Sequence, residues 1–286
     1  MKQVKQSHLA GNWYEGSASR LERQINALLE AADQGGPRMR EQPPVGVVVP
    51  HAGYVYSGAT AAVAYSCLRA WPYRRAVILA PSHFVYLHGA ATLAVDAFAT
   101  PLGEVAVDRP AQDENCTHPL VQVDDRAYRR EHALEIQLPL LQRVLPQAAI
   151  VPLLLGTLAA ADLEEFAGVL QRLAGPHTIF IVSSDFTHYG AQFDYLPFPA
   201  NNAEQVRERL RALDLGAIEH VLAGDLAGFR QYVADTGITI CGRVPISTFL
   251  AWHGRGPRGQ LLAYTSSLEL TGDFEHSVSY AALAFA

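Results

Sequence analysis

Three apolar, β-branched runs that each stop at a histidine constrain this chain more than anything else in it. Val45–Tyr56 (VGVVVPHAGYVY) breaks at Pro50 and delivers His51, Ala52, Gly53 and Tyr54. Arg75–Ser82 (RAVILAPS) runs into His83, and Thr178–Ser184 (TIFIVSS) runs into Asp185, Phe186, Thr187 and His188. Continuous apolar runs bounded by turn residues are strands buried on both faces, which is the habit of parallel sheets covered by helices. In such sheets ligands bind outside the carboxyl ends of the strands. If the three strands are parallel neighbours, His51, His83, Asp185 and His188 share one cleft.

The remaining periodicity fits an α/β chain. Ser17–Ala32, Gly58–Ala70, His132–Leu145, Leu163–Leu173, Asn201–Leu213, Leu215–Leu222, Leu226–Ala234 and Cys241–Trp252 carry helical spacing. Ala148–Leu155, Leu261–Ser266 and Ser277–Phe285 are expected strands, with shorter ones at Ala90–Val95 and Glu104–Val107. Pro152 places its strand near an edge or a bulge. Ala31–Pro44 is a loop, and Asp108–Arg130 is polar and irregular. The expectation is one domain over residues 1–286, a mostly parallel central sheet of about six strands with helices on both faces.

Composition excludes several classes. Of 286 residues, 49% are hydrophobic and 17% charged, enough for a large core. A net charge of −6 with no basic stripe argues against nucleic-acid binding. No apolar run approaches the roughly 18 residues needed to span a bilayer, so no membrane association is expected. The N-terminus has no signal-peptide core. Three separated cysteines, Cys67, Cys116 and Cys241, form no disulfide framework, which suits a reducing cytoplasm.

His51 and His83, neutral imidazoles at neighbouring strand tips, are candidate metal ligands. Cys241, at the entrance to a helix with Pro245 in its first turn, is the candidate third ligand. The helix N-terminus and Arg243 are expected to favour its thiolate. The bland alternative, a small buried hydrophobe, is held for Cys67 and Cys116. His188 is a candidate acid/base with Asp185 orienting it or contacting substrate; Asp185 is equally suited to capping a helix. Gly53 would let backbone approach a ligand. His132 and Glu135 are candidate pocket or supporting groups, or surface caps, and Trp13-Tyr14 docks the N-terminus. His8, His88, His118, His177, His220, His253 and His276 are expected to be structural or solvated.

AGNWYEG, VVPHAGYVYSG, APSHF, EHALEIQLP, VPLLLG, VSSDFTHYG, ICGRVPI and SVSYAAL, in this order from Leu9 to Phe285, resemble the Memo family, and a prokaryotic member in particular. The resemblance implies a fold like that of the class III extradiol dioxygenases. It also implies a pocket holding Fe(II) or copper, with zinc an option, on His51, His83 and Cys241. Asp185 and His188 would be the catalytic groups, and Tyr54, Arg243, His132 and Glu135 would lie around them. The dioxygenases use a carboxylate where Cys241 stands, so ring cleavage does not carry over from the fold. The family further implies a small-molecule or peptide ligand and a pathway shared with AMMECR-type and radical-SAM proteins. Three functions follow: a metal-dependent oxidoreductase, a binding module for a (phospho)peptide or small ligand, and a metal-free cysteine hydrolase in which Cys241 is activated by His188 or His51.

Overall fold

A computed structural model describes residues 2–35, 42–199, 202–254 and 259–286. Its centre is four parallel strands, in spatial order Gly46–Val49, Thr178–Ser183, Arg75–Pro81 and Ala149–Leu155. The three runs that end in histidine are therefore adjacent, and their carboxyl ends lie side by side.

The sheet is mixed rather than mostly parallel. Ser277–Phe285 joins Gly46–Val49 antiparallel, and Gln260–Ser266 and His188–Tyr189 pair antiparallel with Ser277–Phe285. On the other flank Ala90–Thr92 lies antiparallel to Ala149–Leu155 and parallel to Val121–Val123. The sequence could not show this, since a short apolar run reports burial and not direction. Val4–Lys5, Ala97–Thr100 and Gly103–Ala106 form a second, three-stranded sheet.

Burial on both faces explains the missing alternation in the central strands. Val47, Val49, Ala76, Ile78, Ile179 and Ile181 join one core cluster, beneath Leu21, Ile25 and Leu29 of the Ala18–Gly35 helix. Val48, Val77, Leu79, Phe180 and Val182 join the other, beneath Phe166 and Val169 of Ala160–Leu173 and Phe249 of Arg243–His253. Successive strand side chains feed opposite layers, so every position is apolar.

Several boundaries move for identifiable reasons. The second helix spans Tyr54–Ser66, four residues ahead of expectation, so it begins directly at the strand-tip turn. The first runs on to Gly35 where a loop was expected; residues 36–41 of that loop lie outside the described residues. Asp108–Arg130 is not irregular: Asp108 and Asp124 cap two short helices, Arg109–Asn115 and Asp125–Tyr128, through side-chain bonds to Ala111 and Arg126 N–H. Ala203–Leu222 is one continuous helix, while Asn201 lies outside the described residues. Pro152 sits within the sheet, opposite Ile78. Its other side faces a gap between the pairings of Ile150 and Leu154, where the Tyr128 hydroxyl donates to the Pro152 carbonyl at 3.1 Å. A proline removes no ladder bond there.

Candidate metal centre

His51 leaves its strand with its backbone N–H donating to Asp185 Oδ1 at 2.7 Å. Its ring is 1% exposed and held at both nitrogens. Nδ1 lies 2.9 Å from Ser183 Oγ, which itself donates to the Ala133 carbonyl at 2.6 Å. A hydroxyl has one proton to give, so Nδ1 is the donor and Nε2 carries the lone pair. Nε2 faces Cys241 Sγ at 3.1 Å. Gln137 closes the network, donating to Ser183 Oγ and the Pro50 carbonyl.

Glu131 governs the second imidazole. Its Oε1 lies 2.8 Å from His83 Nδ1, and its Oε2 accepts the His83 backbone N–H at 2.7 Å. Burial works against the charge of Glu131, but these bonds win and hold its carboxyl below the ordinary range. A carboxylate on Nδ1 fixes the tautomer and leaves Nε2 free to ligate, the usual support for a metal-binding histidine.

His132 is the third member. It stacks on His83 with ring centroids 4.7 Å apart, and Trp13 covers it at 4.5 Å. The expected helix over His132–Leu145 starts late, as a 3-10 turn at Glu135–Gln137 followed by α-helix over Leu138–Val144. Glu131 takes the Ala133 N–H at 3.0 Å, which keeps His132 in the preceding turn, facing the strand tips. One ligand atom from each of His51, His83 and His132 lies within 4.8 Å of the others. Nitrogens about 2.1 Å from one tetrahedral ion are about 3.4 Å apart, so small ring rotations would bring the three onto a metal. This histidine group could hold a metal ion.

His51, His132 and His188 are kept neutral. Burial, then the neighbouring histidines, pushes His51 well below its ordinary value; burial is also the main cause for His132 and His188, each pushed down to about 4. Neutral nitrogens are ready ligands or bases. His188 Nε2 is buried and has no hydrogen-bonding partner, while its backbone is fixed on both sides by Thr239 Oγ1 at 2.8 Å.

The other candidates fall into distinct places. Cys241 immediately precedes the Gly242 cap of the Arg243–His253 helix, as expected, but its thiol is not activated. Burial, then the charge of Asp185, pushes it well above its ordinary value, which overturns the expected thiolate. Asp185 holds the strand-tip turn rather than capping a helix, and burial raises its carboxyl to about 7. Tyr54 turns its hydroxyl away, donating to the Ile136 carbonyl and accepting the Leu140 N–H. The neighbour that Gly53 admits is the Trp13 carbonyl, 3.4 Å from where a Cβ would stand. Glu135 binds the N-terminal segment: Ser7 Oγ, the Leu9 N–H and the Tyr14 hydroxyl donate to its Oε1, and His8 Nδ1 lies 2.6 Å from Oε2. Arg243 is exposed and lines a cavity of about 370 Å³ together with His83 and Cys241.

Sequence reasoning had His132 as a pocket or supporting group or a surface cap, not as a ligand, and passed over Glu131, Ser183 and Gln137. A carboxylate directly beside a histidine, Glu131-His132, was the available signal.

The family model described as "Memo-like protein" matches residues 5–284. A "MEMO1 family protein" of Methanosarcina barkeri is 34% identical over 287 residues, covering 98% of this chain and 99% of the relative. Human "Protein MEMO1" is 32% identical over 287 residues, covering 96% and 94%. The "Protein memo-1 homolog" of Caenorhabditis elegans is 32% identical over 283 residues, covering 95% and 79%. The motifs at the strand tips, the histidine cluster they build and these matches together show that the chain belongs to the Memo family.

Proposed function

We propose that His51, His83 and His132 bind a transition-metal ion, with Cys241 as an adjoining sulfur donor, and that the centre belongs to a metal-dependent oxidoreductase acting on a small molecule. The observation that carries this reading is the convergence of three imidazole ligand atoms within 4.8 Å, two of them on rings whose Nδ1 is engaged by Ser183 or Glu131. Imidazole with thiol suits iron(II), copper or zinc, and the first two would supply redox as well as Lewis-acid chemistry.

The chain's own residues have separable tasks. Ser183 and Gln137 orient His51, and Glu131 orients His83. Trp13 covers His132 and keeps water from that side. His188, neutral and with Nε2 unpartnered, is placed to take a proton from a bound molecule or return one. Asp185 sets the turn that carries His51. A thiol held well above its ordinary value is a poor nucleophile at neutral pH, which weighs against the cysteine-hydrolase alternative. No helix among the described residues is long and apolar enough to cross a membrane. Three free cysteines suit a reducing compartment, and on that ground we read the protein as cytoplasmic.

Proton counting tests the assignment of Cys241. A thiol must lose its proton to ligate. Titrating zinc into metal-free protein at pH 7, in buffers of different ionisation enthalpy, should release about one proton per ion from wild type. Cys241→Ser should still bind and release about one fewer. Equal release from both proteins removes Cys241 from the ligand set; absence of binding by wild type removes the centre.

A further inference from the structure

The cavity beside His83 and Cys241 does not end there. Arg243 and Val244, which line it, also line a second cavity of about 180 Å³ walled by Leu158, Leu163, Phe229 and Val233 and bordered by Arg230. The backbone is continuous across the junction, with Leu155, Gly156 and Thr157 on the first cavity and Leu158 on the second. The two cavities share the wall made by Arg243 and Val244, and the first of them reaches His83.

Its electrostatics run against those of the chain. The net charge is −6, yet neither cavity has an Asp or Glu among its lining residues. Arg230 and Arg243 border the same small cavity, both are exposed, and among the described residues neither side chain makes a hydrogen bond or an ion pair. The other arginines near the sheet are used differently: Arg75 pairs with Asp108, and Arg126 with Asp124. Two like charges sharing an apolar cavity repel each other, and a bound anion would reverse the sign of that interaction.

We propose that the two cavities act as one groove that binds an elongated organic anion. Its reacting end would lie at His83 and Cys241, its apolar middle against Leu158, Val244 and Phe229, and its carboxylate or phosphate between Arg243 and Arg230. The proposal names the ligand class for the centre described above and rests on that reading for the reacting end only; the anion site stands on the two arginines. Guanidinium pairs suit both anions, because a planar fork meets two oxygens at once.

The test uses three six-carbon probes, hexanol, hexanoate and hexyl phosphate, titrated into the full chain by calorimetry at low salt. Both anions should bind and hexanol should bind at least tenfold more weakly; a preference between hexanoate and hexyl phosphate identifies the head group. Arg243→Gln and Arg230→Gln should each weaken the anions about fivefold to tenfold. Arg207→Gln, exposed on the Ala203–Leu222 helix, should leave them unchanged. His51→Ala should lose metal while keeping hexanoate binding, which separates failure of the metal centre from failure of the groove. Equal binding of hexanol and hexanoate, or loss in Arg207→Gln equal to that in the groove variants, overturns the proposal.

Discussion

Glu135 and Asp185 are equally buried, each 4% exposed, and their environments push them in opposite directions. Burial raises both. At Glu135 the His8 and Ser7 side chains, with the Leu9 N–H, more than offset it and bring the carboxyl down to about 2. At Asp185 the backbone bonds from His51 and Ala52 do not, and the carboxyl stays at about 7. The number and charge of the donors, together with the fuller desolvation of Asp185, decide the outcome. Glu135 anchors the N-terminal segment that carries Trp13 over His132, so the molecule invests its strongest carboxylate in support. Asp185, on the turn that carries His51, is left poorly satisfied, as functional sites often are.

The sharpest way to break this contrast is through pH. Glu135 is depressed from 4.5, so its stabilising effect is fully present above that value and is lost as pH falls toward 2. Glu135→Gln should therefore cost roughly 3 kcal/mol at pH 7 and almost nothing near pH 2. Urea unfolding at the two pH values measures it; an equal cost at both would show that the carboxylate's charge does not matter.

A smaller effect is expected at Gly242. A Cβ there would stand 2.3 Å from Ser184 Cβ and 2.8 Å from the Ser183 carbonyl, at the end of the strand that supports His51. Gly242→Ala should cost about 1–3 kcal/mol by overpacking and weaken zinc binding as Cys241 is displaced. Full stability with unchanged zinc affinity would show that the loop has room to move.

The smallest effect belongs to Asp185→Asn. A carboxyl raised above its unfolded value of 3.8 favours folding most at low pH, and that advantage fades as pH rises through about 7. An asparagine carbonyl can accept the same two N–H groups, so metal-free Asp185→Asn should lie within about 1 kcal/mol of wild type near pH 4, where the carboxyl is neutral, and should be the more stable of the two at pH 7. Its stability should also lose the decline that wild type shows between about pH 4 and 7. A drop as large as that of Glu135→Gln would erase the distinction between the two sites.

How much of this was legible in the sequence follows the same division. The strand tips could be read because fully apolar runs mark strands covered on both faces, and a histidine after such a run has only one place to be. His132 could not, because Ile136, Leu140 and Leu141 extend a helical pattern back over it. The carboxylate of Glu131, which holds that turn out of the helix, acts through His83, far away in sequence. The position of Cys241 was legible but its protonation was not, since burial and the nearness of Asp185 are tertiary facts. The role of Glu135 was hidden for the same reason: its partners lie more than a hundred residues earlier, at Ser7, Leu9 and Tyr14.

The central claim is the three-histidine group, and His132 is the member that tests it. Zinc and iron(II) binding to anaerobic protein should be near-stoichiometric in wild type. His132→Ala should bind at least a hundredfold more weakly, at unchanged far-ultraviolet circular dichroism. Retention of wild-type affinity by His132→Ala would contradict the account and return the centre to His51, His83 and Cys241 alone.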